Sequence, residues 1–508
     1  MAMPNGTATQ ASPTSLSDEQ LLFIDGEYTK SSKGSTFPVK NPMTGEQLYQ
    51  SAAAGKADYE IAIQNAHEAF KSWSSTPPSA RRLIFLKAAD ILESYLKQDA
   101  PEILSAEVSA VPSWVKVNVL ATAGILRETA GLVTHIKGEI VPADRPGTTI
   151  MVLREAVGVV FAMSPWNAPV NLTARAIATP LICGNTVILK PSEFSPKSQH
   201  LVVRALRVAG LPKGCLNFLP TSPADAPATT EFAIKHPLVR RVNFTGSSRV
   251  GRIIAGHAAS VLKQCVLELG GKAPALVLRD ATIPDAVDAI VFGALSNSGQ
   301  ICMSTERVIV DQAIKDEFIS YLLERVAKVR YGNLLDPAMA DVSMSGLFCA
   351  ASTERVIELC RDAISQGAKL LAGDLEARGP QGTILSPIVL DGVTRDMAVF
   401  RDETFGPVMC LCAADGDDHA VAVANDSEYS LCASVFSADV MRALAVARRV
   451  RAGSCHVNGP TVYIEATLPN GGTGGASGYG RFGGIAGVEE FTERKIVSLA
   501  EPGMTYSF

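Results

Sequence analysis

Hydrophobic positions along this chain change their period near residue 156. Between residues 58 and 100 they recur at helical spacing: Ile61, Ala62, Ala66, Ala69, Phe70 and Trp73, then Leu83, Leu86, Ala89, Leu92 and Leu96. From about residue 156, short apolar runs take over: Val157–Met163, Thr186–Leu189, Leu216–Leu219, Val242–Phe244, Val266–Leu269 and Leu276–Leu278. Segments suited to helices, near 172–183, 198–209, 224–235 and 249–259, separate these runs. Near-continuous apolar strands alternating with helices predict a parallel sheet covered on both faces. A second such series, from about 285 to 460, implies a second α/β domain. The glycine-rich stretch Asn470–Gly487 leads into a short terminal segment, Lys495–Ala500.

Composition narrows this picture. A chain of 508 residues is too long for one ordinary core, so two or three domains are expected. Charged residues make up 19% and hydrophobic residues 47%. The low charge implies a large core, with further surface hidden between subunits. A net charge of −5 without any basic block speaks against nucleic acid as a partner. No run of eighteen apolar residues occurs, so no membrane-spanning helix is expected. Met1–Ser17, rich in Ser, Thr, Ala and Pro, reads as a disordered lead-in. The first basic residue is Lys30, which argues against a secretory or transit peptide and for a cytoplasmic protein. The ten cysteines form neither C-x-x-C pairs nor zinc-like Cys/His clusters. Free thiols and no metal site are expected.

Candidate chemistry lies in six short segments. Gly299-Gln300-Ile301-Cys302-Met303 places a cysteine after a glycine turn, and Leu267-Glu268-Leu269-Gly270-Gly271-Lys272 sets a carboxylate in an apolar run ending in paired glycines. Together they suggest a thiol nucleophile and a carboxylate base, although a lone cysteine is more often a small buried apolar residue. Phe244–Gly251 follows a strand and opens a helix, where Gly246 and Gly251 either let backbone approach a pyrophosphate or serve a purely structural turn. The Gly-x-Gly-x-x-Gly run at 478–483 has too little chain after it for the βαβ unit such a fingerprint needs. Lys190 and Glu193 sit at a strand end, where they can meet ribose hydroxyls or form a solvated charge pair. In Pro165-Trp166-Asn167, the Asn167 amide is either an oxyanion donor or a turn asparagine. Glu403 and Phe405 either contact a sugar and a flat ring or cap a turn.

Taken in order, Pro165-Trp166-Asn167, Lys190-Pro191-Ser192-Glu193, Phe244-Thr245-Gly246-Ser247, Leu267–Lys272, Gly299–Cys302 and Glu403-Thr404-Phe405-Gly406-Pro407 resemble the NAD(P)-dependent aldehyde dehydrogenase superfamily from about residue 21 to 500. Segments 302–307, 457–462 and 477–484 look most like its salicylaldehyde and vanillin dehydrogenase branch. The resemblance implies a Rossmann-type NAD-binding domain (21–135 and 156–268, after a lead-in over 1–20). It also implies an α/β catalytic domain (269–478) and a small β oligomerisation flap (136–155 and 487–508) building a homodimer or homotetramer. Cys302 would attack the aldehyde, Asn167 hold the oxyanion, and Glu268 activate water against the thioester. Pro165, Trp166, Lys190, Glu193, Gly246, Ser247, Gly251, Leu269, Glu403 and Phe405 would bind the cofactor. NAD is expected over NADP, because Glu193 would repel a 2′-phosphate. Trp114, Arg175, Ile301, Met303 and Tyr463 would line the substrate funnel, where Trp114 packing between helices or Arg175 in an ion pair are the alternatives. The chain departs from the family at Pro469–Ser477, which lacks the usual aromatic and lysine and puts that loop's order in question. The rival readings are a CoA-acylating dehydrogenase, which Glu268 disfavours, and a non-catalytic member, which the intact Cys302, Glu268 and Asn167 disfavour.

Overall fold

The computed structural model describes residues 16–339 and 341–506. The expected lead-in lies outside the described residues as far as residue 15. From there the chain is engaged: the Leu16 carbonyl accepts from Lys197 Nζ, and Gln20 bridges to Ser51. The long helical pattern after residue 55 divides into Lys56–Trp73 and Pro78–Ser94. Pro77 and Pro78 force the break, since neither can donate to a preceding turn, and Pro78 starts the second helix where its missing N–H costs nothing.

The first large sheet runs Gln264–Glu268, Val239–Thr245, Val159–Met163, Thr186–Lys190, Leu216–Phe218, Leu22–Ile24, Glu27–Thr29. Its first five strands are parallel. Strand order reverses between Val159–Met163 and Val239–Thr245, the switch point at which open α/β sheets leave a crevice at their carboxyl ends. Register levels those ends: Thr245 stands opposite Glu268, and Met163 opposite both Phe244 and Lys190. Behind them lies the helix Pro169–Ile182, buried nearly all round and carrying Arg175 as its single charged side chain.

The second sheet runs Lys369–Ala372, Ile388–Asp391, Val408–Ala414, Thr305–Asp311, Ala273–Val277, Cys432–Phe436, Ser454–Val457, parallel except for its first strand. One sequence reading is corrected here. The run at Leu276–Leu278, which closes the first apolar series, is part of Ala273–Val277 in the middle of the second sheet. An apolar run records burial on both faces and says nothing of which sheet buries it. Only Leu269–Lys272 separate the two sheets, so the carboxyl edge of the first faces the amino edge of the second. A third, antiparallel sheet joins Glu139–Val141, Thr148–Ala156 and Thr492–Ala500. No single helix among the described residues is long and apolar enough to cross a membrane.

A buried ion pair fixes the crossing between the large sheets. Lys272 Nζ donates to Glu306, and both side chains are almost fully buried. Glu306 also accepts from the Thr404 N–H (2.8 Å), the Thr404 hydroxyl (2.6 Å) and the Phe405 N–H (3.2 Å). Beside it Arg307, also buried, donates to the carbonyls of Lys272 and Ala424. Glu306→Gln leaves Lys272 buried without its counter-charge and should lower unfolding stability by about 3–5 kcal/mol. Denaturant titration beside the wild type at one protein concentration reads this, and a change under about 0.5 kcal/mol would show the pair to be dispensable.

Candidate active site

Glu268 ends the edge strand of the first sheet, almost fully buried. Cys302 follows the turn at Gly299 and precedes the strand Thr305–Asp311, half-buried. Ala273 pairs with Thr305, which brings the two segments side by side. Their approach requires glycine. A Cβ on Gly271 would stand 2.0 Å from the Cys302 carbonyl oxygen, and one on Gly270 would stand 2.5 Å from Glu403 Oε2. Gly299, at φ +76°, would meet the Gly406 carbonyl at 2.1 Å in the same way.

The environment keeps the nucleophile candidate protonated. Burial first, then the facing Glu268 carboxylate, push the Cys302 thiol well above its ordinary range, and Arg175 pulls partly against them. Arg175 Nη2 donates to Glu268 Oε2 in an ion pair whose side chains are 10% and 2% exposed. Its guanidinium also lies 4.9 Å from the Phe482 ring. The ion-pair alternative for Arg175 therefore holds, and the same side chain lines a cavity of 510 Å³ with Gly124, Ile125, Asn171, Ile464 and Asn470.

Asn167 is buried in the loop after Val159–Met163. Its Nδ2 donates to the Gln300 carbonyl at 3.0 Å, aiming the amide at the Cys302 turn. Its own carbonyl accepts from Trp114 Nε1 and Asn297 Nδ2, each at 3.0 Å. Trp114 thus anchors the Asn167 loop through its indole N–H. Ile301 and Met303 pack into the first domain's core beside Trp166 and Val462. Tyr463 is 48% exposed, its ring edge-on to His456 and its hydroxyl on Glu465. The neighbouring main-chain run Ile464–Thr467, rather than the Tyr463 ring, reaches the cavity.

The cofactor candidates gather around the switch point. Pro165 and Trp166 leave the central strand. The Trp166 ring stacks on Phe348 at 4.0 Å and meets Phe405 edge-on at 5.9 Å, joining this loop to the Glu403–Phe405 turn. Phe405 holds φ +52°, a left-handed conformation costly for an aromatic residue and sustained here by the Glu306 hydrogen bonds. Glu403 accepts from the Gly271 N–H at 2.8 Å, and burial, reinforced by Glu306, raises its carboxyl to about 8. Ser247 caps the helix Ser248–Ala259, accepting from the Val250 N–H, and Gly246 N–H donates to the Glu268 carbonyl. Gly251 makes room for Leu269, whose side chain a Cβ would overlap at 2.5 Å. Burial lowers the Lys190 ammonium, with Glu193 acting against it. Glu193 is half-buried beside a cavity of 360 Å³ that Phe194 and Phe348 also line.

Several contributors escaped the sequence reading: Glu306 with Lys272, Asn297, and Cys432, whose Sγ donates to the Met303 carbonyl at 3.6 Å. Only Asn297 left a trace, since asparagine beside Ser298 and Gly299 suits the positive φ all three adopt. The Gly478–Gly483 run lies along the edge strand: Leu267 N–H donates to the Tyr479 carbonyl and Leu269 N–H to that of Ser477. The unusual Pro469–Ser477 loop is tied down as well. Asn470 bridges to Phe482, and the Ser430 hydroxyl donates to the Gly474 carbonyl.

The crevice at the switch point thus meets a half-buried thiol and a buried carboxylate at the sheet crossing. Residues 28–497 match the Aldehyde dehydrogenase family. The vanillin dehydrogenase of Pseudomonas fluorescens is 46% identical over 481 residues, 94% of this chain and 97% of that one. The salicylaldehyde dehydrogenase of Pseudomonas putida is 44% identical over 96% of this chain and 99% of its own length. A crystal structure of a salicylaldehyde dehydrogenase from Pseudomonas putida G7, complexed with salicylaldehyde, matches with TM-score 0.92 at 42% identity, covering 96% of this chain and 100% of that one. A likeness running through both large sheets and the crossing between them makes this chain a member of the aldehyde dehydrogenase family.

Proposed function

We propose that this aldehyde dehydrogenase acts on aromatic or conjugated aldehydes, with Cys302 as nucleophile, Glu268 as base and Asn167 as oxyanion donor. The reaction, aldehyde to carboxylic acid with a nicotinamide dinucleotide, is the family's. The observation that carries the assignment of roles is the facing of Cys302 and Glu268. A thiol held protonated by its surroundings needs a base at hand, and Glu268 is the carboxylate that faces it. Glu268 takes the proton as sulfur adds to the carbonyl carbon. The oxyanion then meets Asn167 Nδ2 and the Cys302 N–H. A bound nicotinamide would supply the hydride acceptor for that carbon, whose oxidation would leave Cys302 carrying a thioester. Glu268 gives the first proton up to solvent and then draws one from water as that water attacks the thioester; the C–S bond breaks, the acid leaves, and the proton held by Glu268 returns to sulfur.

The donor set around the switch point suits a dinucleotide. The helix start at Gly246 and Ser247 offers N–H groups to a pyrophosphate, with Gly251 seating Leu269 beneath. Lys190 and Glu193 suit ribose hydroxyls, and Glu403, neutral near pH 7, can both donate to and accept from a sugar. Pro165, Trp166, Leu269 and Phe405 give the ring end an apolar wall. The carboxylate of Glu193 favours NAD over NADP. The 510 Å³ cavity is of a size that encloses a substituted ring. Arg175 faces an oxygen substituent there, Ile301 and Met303 back the carbonyl, Trp114 acts through Asn167, and Tyr463 stands at the outer rim. The exposed Ile140 and Ile496 of the third sheet, at 78% and 72%, support self-association into a homodimer or homotetramer, and we place the enzyme in the cytosol. Light scattering of the purified protein tests the first, since a monomer at micromolar concentration contradicts it. Fractionation of the native cells tests the second, since activity in the membrane pellet contradicts it.

Glu268→Gln should slow thioester hydrolysis more than the first turnover: without the carboxylate's push the thiol can lose its proton to solvent, whereas an amide oxygen is too poor a base to activate water. Rapid mixing should then show a burst of NADH followed by a slow steady rate. Unchanged steady turnover would remove Glu268 from the mechanism.

The raised thiol makes a pH prediction of definite sign. Only thiolate is alkylated, so the iodoacetamide rate at Cys302 should still be climbing at about pH 9 in the enzyme without cofactor. Glu268→Gln removes the carboxylate's push and should shift the profile to lower pH. A wild-type plateau below about pH 8 would contradict the geometry.

Initial rates with benzaldehyde, salicylaldehyde and acetaldehyde, each with NAD and with NADP, test the substrate and cofactor assignments together. Higher kcat/KM for the two aromatic aldehydes, and for NAD, is expected. Acetaldehyde as the best substrate, or NADP as the clearly better cofactor, would overturn the respective assignment.

A further inference from the structure

Arg175 stands out once the rest of its helix is considered. Pro169–Ile182 is otherwise uncharged and buried on nearly every side, a place where a cation costs stability unless it is paired. Its partner is Glu268, on a strand of the sheet that this helix covers. Arg175 Nη2 reaches the carboxylate and, at 3.5 Å, the Thr245 hydroxyl on the adjoining strand end. The guanidinium plane lies against Phe482, which limits its swing. The ionisable groups that face Glu268 otherwise are Cys302, Cys432 and Glu403, each of which becomes neutral or negative on titration and none of which supplies positive charge. The nearby Lys272 is committed to Glu306.

We propose that Arg175 is a positioning residue for the reaction: it supplies the counter-charge that keeps Glu268 a carboxylate and holds that carboxylate turned toward Cys302. The inference rests on the role given to Glu268 above. Two demands on Glu268 conflict without such a partner. It must be shielded from bulk water so that the thioester is not exposed to stray solvent chemistry, yet it must stay ionised to accept a proton twice in each cycle. Burial alone drives a carboxyl toward its neutral form, and a fixed guanidinium beside it reverses that preference. Arginine suits the task better than lysine, because it stays charged when buried and its planar guanidinium fork can lie over the Phe482 ring while its Nη2 holds a single carboxylate oxygen. The arrangement leaves the second carboxylate oxygen of Glu268 unclaimed by Arg175 and free for the thiol proton or for water.

The test uses benzaldehyde, which carries no ring oxygen for Arg175 to recognise, so that substrate contacts do not confuse the reading. Burst and steady-state NADH formation are followed across pH for the wild type, Arg175→Met, Arg175→Lys, Glu268→Gln and the double variant Arg175→Met with Glu268→Gln. The base works above the pH at which it loses its proton, and its rate falls as pH drops through that point. Without the cation, the acid limb of the steady-state rate should move to higher pH, by about one unit or more in Arg175→Met. Arg175→Lys, which keeps a charge without the fork, should move it less. On the Glu268→Gln background, Arg175→Met should slow hydrolysis no further. An acid limb that stays within about 0.3 of a unit in a folded Arg175→Met, or single-variant losses that multiply in the double variant, would overturn the proposal. If Arg175→Met does not fold, Arg175→Gln beside Arg175→Lys reads the same limb with the charge removed and kept. Should Glu268→Gln itself leave hydrolysis untouched, the functional reading fails. Should Glu268→Gln stall hydrolysis while Arg175 leaves the limb in place, only this inference fails.

Discussion

The site depends on how closely two stretches of main chain can lie together. Gly271 runs so near the Cys302 carbonyl that any side chain there would collide with it, and Gly270 leaves no more room against Glu403. The four residues Leu269–Lys272 carry the chain from the edge strand of one sheet to an inner strand of the other. Because the crossing is so short, the last residue of the first sheet and the residues before Thr305–Asp311 share one crevice. A Cβ at Gly271 would part Cys302 from Glu268 and from the Glu403 turn at once. The paired glycines are therefore a distance constraint on the chemistry and not a source of flexibility.

Three carboxylates then lie close together in a mostly buried volume, and their partners set them apart. Glu306 has Lys272 and three donors from Thr404 and Phe405, so it is a fixed structural anion. Glu268 has Arg175. Glu403 has one backbone N–H and the repulsion of Glu306, and its carboxyl rises to about 8. The result is a set told apart by partners: a carboxyl bound to Lys272 that holds the frame, one bound to Arg175 beside the thiol, and a third, raised by its burial, facing the crevice. Environments that push like groups apart in this way let one residue type do several tasks at a single pH. The hydrogen bonds that hold Phe405 in its left-handed backbone conformation come from the first of the three, so the frame and the Glu403–Phe405 turn are one unit.

Much of this was legible in the sequence, for reasons that differ along the chain. Val159–Met163 and Thr186–Lys190 are buried on both faces, so their apolar runs announced them within a residue or two. The paired prolines at 77 and 78 fell within one continuous helical pattern, and only their backbone chemistry marks the division. The sheet to which Ala273–Val277 belongs was not legible in its apolar run, because register and neighbour are tertiary facts; only the family resemblance, with its boundary after residue 268, set this strand apart from the first sheet. The same limit applies to charge. Arg175 could be read as a substrate contact or as an ion-pair partner, and the choice turned on Glu268, 93 residues away in sequence. Lys272 and Glu306 sit inside the very motifs that pointed to the site, yet their pairing across 34 residues leaves no mark on either segment.

The C-terminal part of the chain completes this arrangement from outside. Ser477 and Tyr479 extend the edge of the first sheet by accepting from Leu269 and Leu267, and the Ser477 hydroxyl donates to the Gly270 carbonyl at 2.7 Å. The strand that carries Glu268 is thus an edge strand in topology but is covered in fact, which blunts the unpaired N–H groups an edge would expose. Gly478 must be glycine for this, since a Cβ would lie 2.3 Å from the Leu267 carbonyl. The unusual segment before it is anchored through Ser430 and through Arg481, which donates to the Gly471 carbonyl. These bonds engage the segment's own main chain, the Thr473 N–H donating to the Ser430 hydroxyl at 3.0 Å as well, so they place no demand on its side chains. What the segment does present to the interior is Asn470, at the wall of the cavity that Arg175 also lines. A change of sequence in this loop therefore leaves Cys302 and Glu268 in place and acts at the wall of the cavity that Arg175 lines.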